Sequence, residues 1–177
     1  MAKESIARNL MLLGLLKDGP KHGYEIKKLV DEVMSGFTGI SSQSIYYPLK
    51  ELEKKGFLTK TVGRSGKRPE KYVYSITEKG EEEFGKLLSK NLLIIQRPYL
   101  NLDLSLYFLH HAKPEAVKRR LASRLNGLRK VEKWIVDEQK NLQKNKSLHH
   151  MVVITEHMME MIKLEINFTQ RLLKQFT

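Results

Sequence analysis

The order of local patterns in the N-terminal half constrains the fold of this chain more than any other feature. Three stretches repeat apolar residues at the three-to-four-residue spacing of an amphipathic helix, and two strand-like stretches follow them. Gly19-Pro20 ends the first helix pattern, and the second runs from Lys21 to Met34 until residues 35–39 break it. We therefore expect three helices packed together, followed by a hairpin. The apolar stripes are Ile6, Leu10 and Leu13, then Ile26, Leu29, Val30 and Val33, then Ile45, Leu49 and Leu52.

The third helix pattern leaves a polar side uncovered. Ser41 or Ser42 can cap its start, and Gly56 can close its end in the left-handed conformation that suits glycine. Amide, hydroxyl and ammonium groups on the polar side can hydrogen-bond the edges of base pairs or the phosphates beside them. These groups belong to Gln43, Ser44, Tyr46, Lys50 and Lys54.

A basic hairpin follows over residues 57–76. Residues 57–63 and 71–76 are rich in β-branched and aromatic side chains, and a turn-rich segment separates them. Thr77 can then cap a connecting helix over residues 78–95, whose acidic first turn suits a helix N-terminus. Four cations lie at or beside the hairpin tip, namely Arg64, Lys67, Arg68 and Lys71.

Three helices followed by a basic hairpin indicate a winged helix-turn-helix. In this architecture the third helix enters the major groove, and the hairpin, or wing, lies along the DNA backbone or in the minor groove. Gln43 can form two hydrogen bonds with adenine, whereas Tyr46 can pack on a thymine methyl group or reach a phosphate. His22 either contacts a phosphate or is a solvated or capping histidine. The candidate DNA-binding residues are Lys21, His22, Tyr24, Ser42, Gln43, Ser44, Tyr46, Lys50, Arg64, Lys67, Arg68 and Lys71.

A change in composition marks a domain boundary near residue 97. Ten of the 11 glycines lie at or before Gly85, and Pro98 disfavours a helical conformation at Arg97. We therefore expect a winged-helix DNA-binding domain at residues 1–96, with the wing at 57–76, and an all-helical domain at residues 97–177. The predicted fold class is mainly α.

The expected C-terminal domain carries more apolar residues than an 80-residue helical half can bury against itself. On its long helix these residues keep the four-three spacing of a coiled-coil seam, broken where Glu132 and Gln139 fill two seam positions. We expect a second copy of the chain to cover them, which makes this domain the dimerisation domain. Trp134 either lines a ligand pocket or packs at the same contact. The candidate dimerisation residues are Leu121, Leu125, Leu128, Ile135, Leu142, Met158, Ile162, Phe168 and Leu172.

Charge and cysteine content narrow the functional classes. Lys and Arg number 32 and Asp and Glu 20, so the net charge of +12 favours a polyanionic partner. The absence of cysteine excludes disulfide scaffolds, cysteine zinc ribbons, iron–sulfur clusters and thiol catalysis, and it favours a reducing compartment. Neither a signal peptide nor an apolar run of about 18 residues is present. We therefore expect a cytoplasmic protein without a membrane partner.

Catalytic and metal-binding patterns are weak. The sequence has neither a glycine-rich phosphate loop nor a G-x-S-x-G motif, so we expect no enzymatic activity and no cofactor. His157 and Glu160 form a pair near His149 and His150, but their spacing is not that of an H-E-x-x-H site. We expect no metal site.

Two other functions fit the same fold. A winged helix can mediate protein interactions, with its basic charge serving only solubility, or it can bind nucleic acid without sequence preference. Affinity for DNA that falls steeply with rising salt would exclude a protein-interaction module. A preference for one DNA sequence would exclude a nonspecific nucleic-acid binder.

Five segments carry a shared pattern, namely GLL (14–16), GPKHGYEI (19–26), SIY (44–46), LKELEKKG (49–56) and RPEKYVYSITEKG (68–80). Together these segments resemble the PadR family of bacterial transcriptional regulators. The likeness covers roughly residues 10–85, and the length of the chain is similar to that of members with a large C-terminal domain. It implies a homodimeric repressor that binds a palindromic operator in double-stranded DNA through the winged helix. It also implies that, in some members, the C-terminal domain responds to a small aromatic or anionic effector, such as a phenolic acid or a drug.

One residue departs from the family pattern. The family commonly places proline directly after the tyrosine of the recognition helix, whereas here Tyr47 intervenes before Pro48. If the helix begins near Ser44, Pro48 falls in its first turn at little cost, but a start at Ser42 would distort the helix.

Overall fold

The computed structural model describes residues 2–40, 45–63, 71–95, 100–144 and 148–176. The chain divides into two compact units, residues 1–96 and residues 97–177. None of the helices in these described ranges has both the length and the apolarity needed to cross a membrane.

The first unit contains the expected helices and hairpin, with additions at the second helix. The second helix is built from an α-helix, a π-helical turn and a further short α-helix, joined end to end. The elements are α1 (Ala2–Lys17), β1 (Lys21–His22), α2 (Gly23–Leu29), the π turn (Val30–Met34), α3 (Ser35–Thr38), α4 (Tyr46–Lys54), β2 (Leu58–Gly63), β3 (Lys71–Ile76) and α5 (Glu78–Leu92).

The sheet has three strands rather than the expected two. Strands β2 and β3 pair antiparallel, from Leu58 opposite Ile76 to Gly63 opposite Lys71. The other edge of β3 pairs with β1, so that Lys21 lies opposite Tyr74. The prediction that the second helix begins at Lys21 is therefore wrong, because residues 21–22 satisfy backbone groups along the open edge of β3 instead.

The second helix also ends later than its sequence indicates. The Thr38 hydroxyl donates to the carbonyl oxygen of Met34 at 2.6 Å, and helix continues to Thr38 before Gly39 takes a φ of 67°. Val33, a member of the predicted stripe, is 40% exposed. A π turn bonds residue i to i+5 rather than i+4, which shifts the phase of the side chains that follow.

The core of the first unit joins α1, α2, α4, the hairpin and α5. The predicted stripe of α4 is confirmed, since Ile45, Leu49 and Leu52 are all buried. They share one cluster with Leu12 of α1 and with the most buried tyrosine of the hairpin, Tyr74. Burial of this kind favours folding by about 25 cal/mol per Å² of apolar surface. The exposed side of α4 therefore belongs to a helix whose opposite side is fixed in the core.

Thr77 and Gly80 join the base of the wing to α5. The predicted cap is confirmed, because the Gly80 N–H donates to Thr77 Oγ1 at 3.0 Å. The same hydroxyl donates to the Gly56 carbonyl oxygen at 2.8 Å, and Gly56 has the expected positive φ, of 76°. A Cβ on Gly80 would lie 2.1 Å from the Phe57 carbonyl oxygen, so a side chain there would force the backbone apart.

The second unit is a long helical hairpin with a short helix beside it. Its elements are α6 (Asn101–Tyr107), a 3₁₀ turn (Leu109–His111), α7 (Pro114–Leu142) and α8 (His149–Lys174). Helices α7 and α8 pack antiparallel, because Leu121 near the start of α7 contacts Leu172 near the end of α8. An ion pair joins Arg124 and Glu165 across the same contact.

Candidate nucleic-acid interface

Helix α4 presents aromatic and basic side chains on the side opposite its buried stripe. Tyr46, Tyr47 and Lys50 are exposed, whereas Leu49 between them is completely buried. Helix α4 begins at Tyr46, so Pro48 is in the first turn, where a backbone N–H has no partner within the helix. Pro48 therefore removes no hydrogen bond within Tyr46–Lys54, whereas Ser42 and Ser44 lie outside the described residues.

The start of α2 lies against the first turn of α4. A Cβ placed on Gly23 would lie 3.1 Å from Cε1 of Tyr46 and 3.5 Å from Cε2 of Tyr74. Contacts shorter than about 3.4 Å at a Cβ require the neighbouring side chain to move. Glycine at position 23 therefore lets the Tyr46 ring lie close to the backbone of α2.

His22 lies immediately before Gly23, at the start of α2. Its backbone N–H donates to Glu25 Oε2 at 2.6 Å, which satisfies a donor at the start of α2. Its ring atom Nδ1 is buried and has no hydrogen-bond partner among the described residues. Protein therefore covers one ring nitrogen of His22, and its contact with a phosphate stays a prediction.

These residues line a cleft of about 280 Å³ on the first unit, which we call the tyrosine cleft. Four tyrosines from three elements contribute to it, together with the residues at the start of α2. Tyr24, Tyr46 and Tyr72 are 72%, 56% and 43% exposed, so their rings form an accessible rim. The lining residues are His22, Gly23, Tyr24, Glu25, Tyr46, Tyr72 and Tyr74.

Tyr74 forms the buried part of the cleft. Burial raises the pKa of its phenol above the ordinary value of 10, and the charges of Glu53 and of neighbouring tyrosines act in the same direction. The hydroxyl group therefore remains protonated at neutral pH and remains available as a hydrogen-bond donor.

Lys60 lies on β2 of the wing, beside Tyr72 rather than among the residues that line the cleft. Its Nζ is 3.6 Å from the centroid of the Tyr72 ring, which is a close cation–π contact. Lys60 pairs with Tyr74, and Val62 with Tyr72, so these four side chains lie on one face of the hairpin. Sequence reasoning missed Lys60, Tyr72 and Tyr74, although the alternation of the strands would have placed them together.

The predicted DNA-binding residues fall into two groups. Lys21, His22, Tyr24, Tyr46 and Lys50 lie in the described part of the first unit, where His22, Tyr24 and Tyr46 come together in the tyrosine cleft. Lys71 begins β3, opposite Gly63. Outside the described residues lie Ser42, Gln43, Ser44, Arg64, Lys67 and Arg68.

The predicted dimerisation residues lie along the contact between α7 and α8 and on the adjoining sides of these helices. Five of them are buried within a single chain: Leu121, Leu125, Ile135, Leu142 and Leu172. The other four, Leu128, Met158, Ile162 and Phe168, are partly buried.

Other apolar side chains of the second unit are exposed instead. Helix α7 exposes Val131 and Trp134, and helix α8 exposes Val153, Met161 and Leu164. Within the described ranges, no three or more acidic or histidine side chains lie close enough together to hold a metal ion.

Known proteins resemble this chain in the sequence of its N-terminal domain and in its fold. Residues 12–86 match the family described as Transcriptional regulator PadR-like family. The chain is 31% identical over 98 residues to the Negative transcriptional regulator PadR of Bacillus subtilis (strain 168). That alignment covers 55% of this chain and spans about half of the relative's length, 54%.

Solved structures extend the likeness to both units at the level of the fold. The crystal structure of Bacillus subtilis PadR in complex with operator DNA has a TM-score of 0.82 at 21% identity, covering 96% of this chain and 98% of that chain. The Bacillus subtilis PadR complex with p-coumaric acid has a TM-score of 0.74 at 20% identity, covering 95% and 94%.

The matched segment contains the start of α2, the recognition helix α4 and the wing, which are the parts that build the tyrosine cleft. Residues 12–86 of the chain are therefore similar to the PadR-like domain of transcriptional regulators.

Proposed function

We propose that this protein is a sequence-specific DNA-binding transcriptional regulator, a repressor that binds a palindromic operator as a homodimer in the cytoplasm. The observation that carries the proposal is the exposed side of α4, where Tyr46 and Lys50 project from a helix whose other side is fixed in the core. The PadR-like domain and the net charge of +12 support it. We assign a binding function rather than catalysis.

Recognition is divided between α4 and the wing in this proposal. Gln43, Ser44 and Tyr46 read base edges in the major groove, and Lys50 contacts a phosphate. The cations of the wing, Arg64, Lys67, Arg68 and Lys71, increase affinity for any sequence by displacing counterions from the backbone. Base contacts therefore determine which sequence is bound, and the wing cations determine how tightly.

The second unit provides the homodimer contact. The predicted seam is largely buried within one chain, so the exposed residues of α7 and α8 contribute the remaining apolar surface. Trp134, Met161 and Leu164 are large side chains of the kind that carry binding energy at the centre of an interface. A two-fold pairing would place two recognition helices about one turn of DNA apart, roughly 34–36 Å or a multiple of it.

A small aromatic acid is the effector that we propose for relief of repression. Bacillus subtilis PadR, a structural relative, has been crystallised with p-coumaric acid. The test is to add p-coumaric acid to the protein–operator complex and to measure release of DNA. Release of the operator supports this part of the proposal, and unchanged DNA binding at millimolar acid contradicts it.

Selection of genomic fragments by the purified protein tests the main proposal. We expect one or a few fragments to be enriched and to bind about a thousandfold more tightly than random duplex. The affinity should fall steeply as salt rises. A salt-dependent affinity without sequence preference would instead identify a nonspecific nucleic-acid binder, and no DNA binding would favour a protein-interaction module.

A further inference from the structure

The tyrosine cleft has a chemistry that neither base readout nor the basic wing tip explains. Its accessible rim consists of phenol rings, and each phenol hydroxyl can donate a hydrogen bond. Lys60 adds a cation directly beside Tyr72. A group that accepts several hydrogen bonds and carries negative charge would satisfy both features, whereas an apolar molecule would leave the hydroxyl groups without partners.

The position of the cleft further limits which molecules could bind there. The hairpin face that carries Leu58 and Ile76 packs towards the core at its base. Lys60, Val62 and Tyr72 continue the same face beyond the core by strand alternation, and there they are exposed. The cleft therefore lies between the first turn of the recognition helix and the core-side face of the wing. A DNA strand that is contacted by both elements passes this position.

We propose that the tyrosine cleft receives one phosphodiester group of the DNA backbone, with Tyr72 and Lys60 as its principal contacts and Tyr24 and Tyr46 beside them. This inference rests on the proposed function. Half or more of the hydrogen bonds in protein–DNA complexes go to phosphates and sugars, and they fix the register of the protein on the duplex. The cleft thus positions α4 along the groove.

Gly23 and Glu25 shape the cleft without contacting the phosphate. Gly23 allows Cε1 of the Tyr46 ring to lie 3.1 Å from where a Cβ would be, so a side chain at position 23 would displace that ring. The Glu25 carboxylate would repel an anion, but one of its oxygens accepts the His22 N–H at 2.6 Å. Lys60 supplies a positive charge beside Tyr72.

The test uses the intact protein and the operator found by fragment selection. Single methylphosphonate groups, which are neutral, replace each phosphate of the operator in turn, and binding is measured for wild type, Tyr72→Phe and Lys60→Ala. We expect one phosphate at which wild type loses about tenfold in affinity and both variants lose less than about twofold, because the contact is already missing. Lys60→Ala should also flatten the salt dependence by about 0.9 in slope.

Two exposed residues outside the cleft serve as controls. Tyr47→Phe alters a tyrosine of the same helix that does not line the cleft, and Lys86→Ala alters an exposed lysine of α5. Both should keep the full wild-type pattern of methylphosphonate losses. Tyr72→Phe retains its ring, so its thermal unfolding should match that of wild type.

The outcomes separate this inference from the proposed function. If wild type selects an operator but the two cleft variants show the same losses as wild type at every phosphate, the cleft does not hold a phosphodiester. The same conclusion follows if Tyr47→Phe removes the same loss. If wild type selects no sequence, the proposed function fails, and the assignment of the cleft fails with it.

Discussion

The two units of this chain bury their apolar residues in different ways. The first unit closes a core among its own elements, in which side chains from α1, α2, α4, the hairpin and α5 form one cluster. The second unit is a helical hairpin in which α7 and α8 cover each other along one side and expose Trp134, Met161 and Leu164 on others. The first unit therefore closes its core with its own residues, whereas the second leaves apolar side chains exposed for the homodimer contact that we propose.

Removal of residues 98–177 gives the strongest test of this contrast. We expect the remaining winged helix to stay folded and monomeric, because its core needs no residue of the second unit. Its affinity for a palindromic operator should fall by about 10²–10⁴-fold, since the two half-sites are no longer bound together. Light scattering and fluorescence anisotropy measure both effects. If the intact chain is monomeric at micromolar concentration and still binds the palindrome tightly, the second unit does not form a dimer contact.

A core substitution should affect the first unit alone. Leu49→Ala removes a completely buried side chain, and we expect it to lower the free energy of unfolding of the first unit by about 2–5 kcal/mol. Amide hydrogen exchange in α1 and α4 measures this loss, while Trp134 fluorescence follows the second unit during urea unfolding. Leu88→Ala, at a 42% exposed position of α5, is the matched control and should cost much less. Equal losses in both units would mean that they do not unfold separately.

A charge placed on the exposed side of α8 should affect assembly rather than folding. Leu164 is 59% exposed in the single chain, so Leu164→Glu leaves the chain folded but places a charge in the proposed dimer contact. We expect dimerisation to weaken by about 2 kcal/mol, roughly 30-fold, as measured by sedimentation at several concentrations. Val33→Glu makes the same change at an exposed apolar residue of the first unit and should leave the dimer intact. If both variants dissociate the dimer, the dimer contact is not confined to the second unit.

The smallest expected effect concerns a single hydroxyl group. Thr77→Ala removes both the cap of α5 and the bond to the Gly56 carbonyl, and we expect a loss of about 1 kcal/mol in the stability of the first unit. Thr77→Ser keeps the hydroxyl and should restore most of that loss. Ser123 of α7 also donates to a backbone carbonyl, that of Arg119, but inside a helix where this bond adds little. Ser123→Ala should therefore be nearly neutral, and a large loss there would contradict this reasoning.

Local periodicity predicted the elements that bury a regular stripe. Ile45, Leu49 and Leu52 recur at helical spacing, and Thr77 has the chemistry of a helix cap, so both were accessible from the sequence. The strand at Lys21 and His22 was not, because two residues give no alternating pattern and their pairing depends on the open edge of β3. The exposure of Val33 depends on a π turn, for which the sequence carries no comparable signal.

The candidate site was predictable in its position but not in its shape. Tyr46 on the third helix and the basic wing follow from the order of elements. The tyrosine cleft requires Gly23, Tyr46 and Tyr72 to meet, and these residues are distant in the sequence. Which face of the hairpin extends beyond the core is set by the packing of Leu58 and Tyr74, which strand alternation alone does not determine.

The short strand β1 has a consequence for the behaviour of the protein at high concentration. An unpaired strand edge is a template for pairing with other chains, and such pairing leads to aggregates. β1 covers part of one edge of β3, so the described sheet leaves β2 as its long free edge, where Lys60 places a charge. Lys21→Pro would remove the backbone N–H of β1 that lies opposite Tyr74, and would weaken the pairing of β1 with β3. A stored solution of that variant should form β-rich precipitates sooner than wild type.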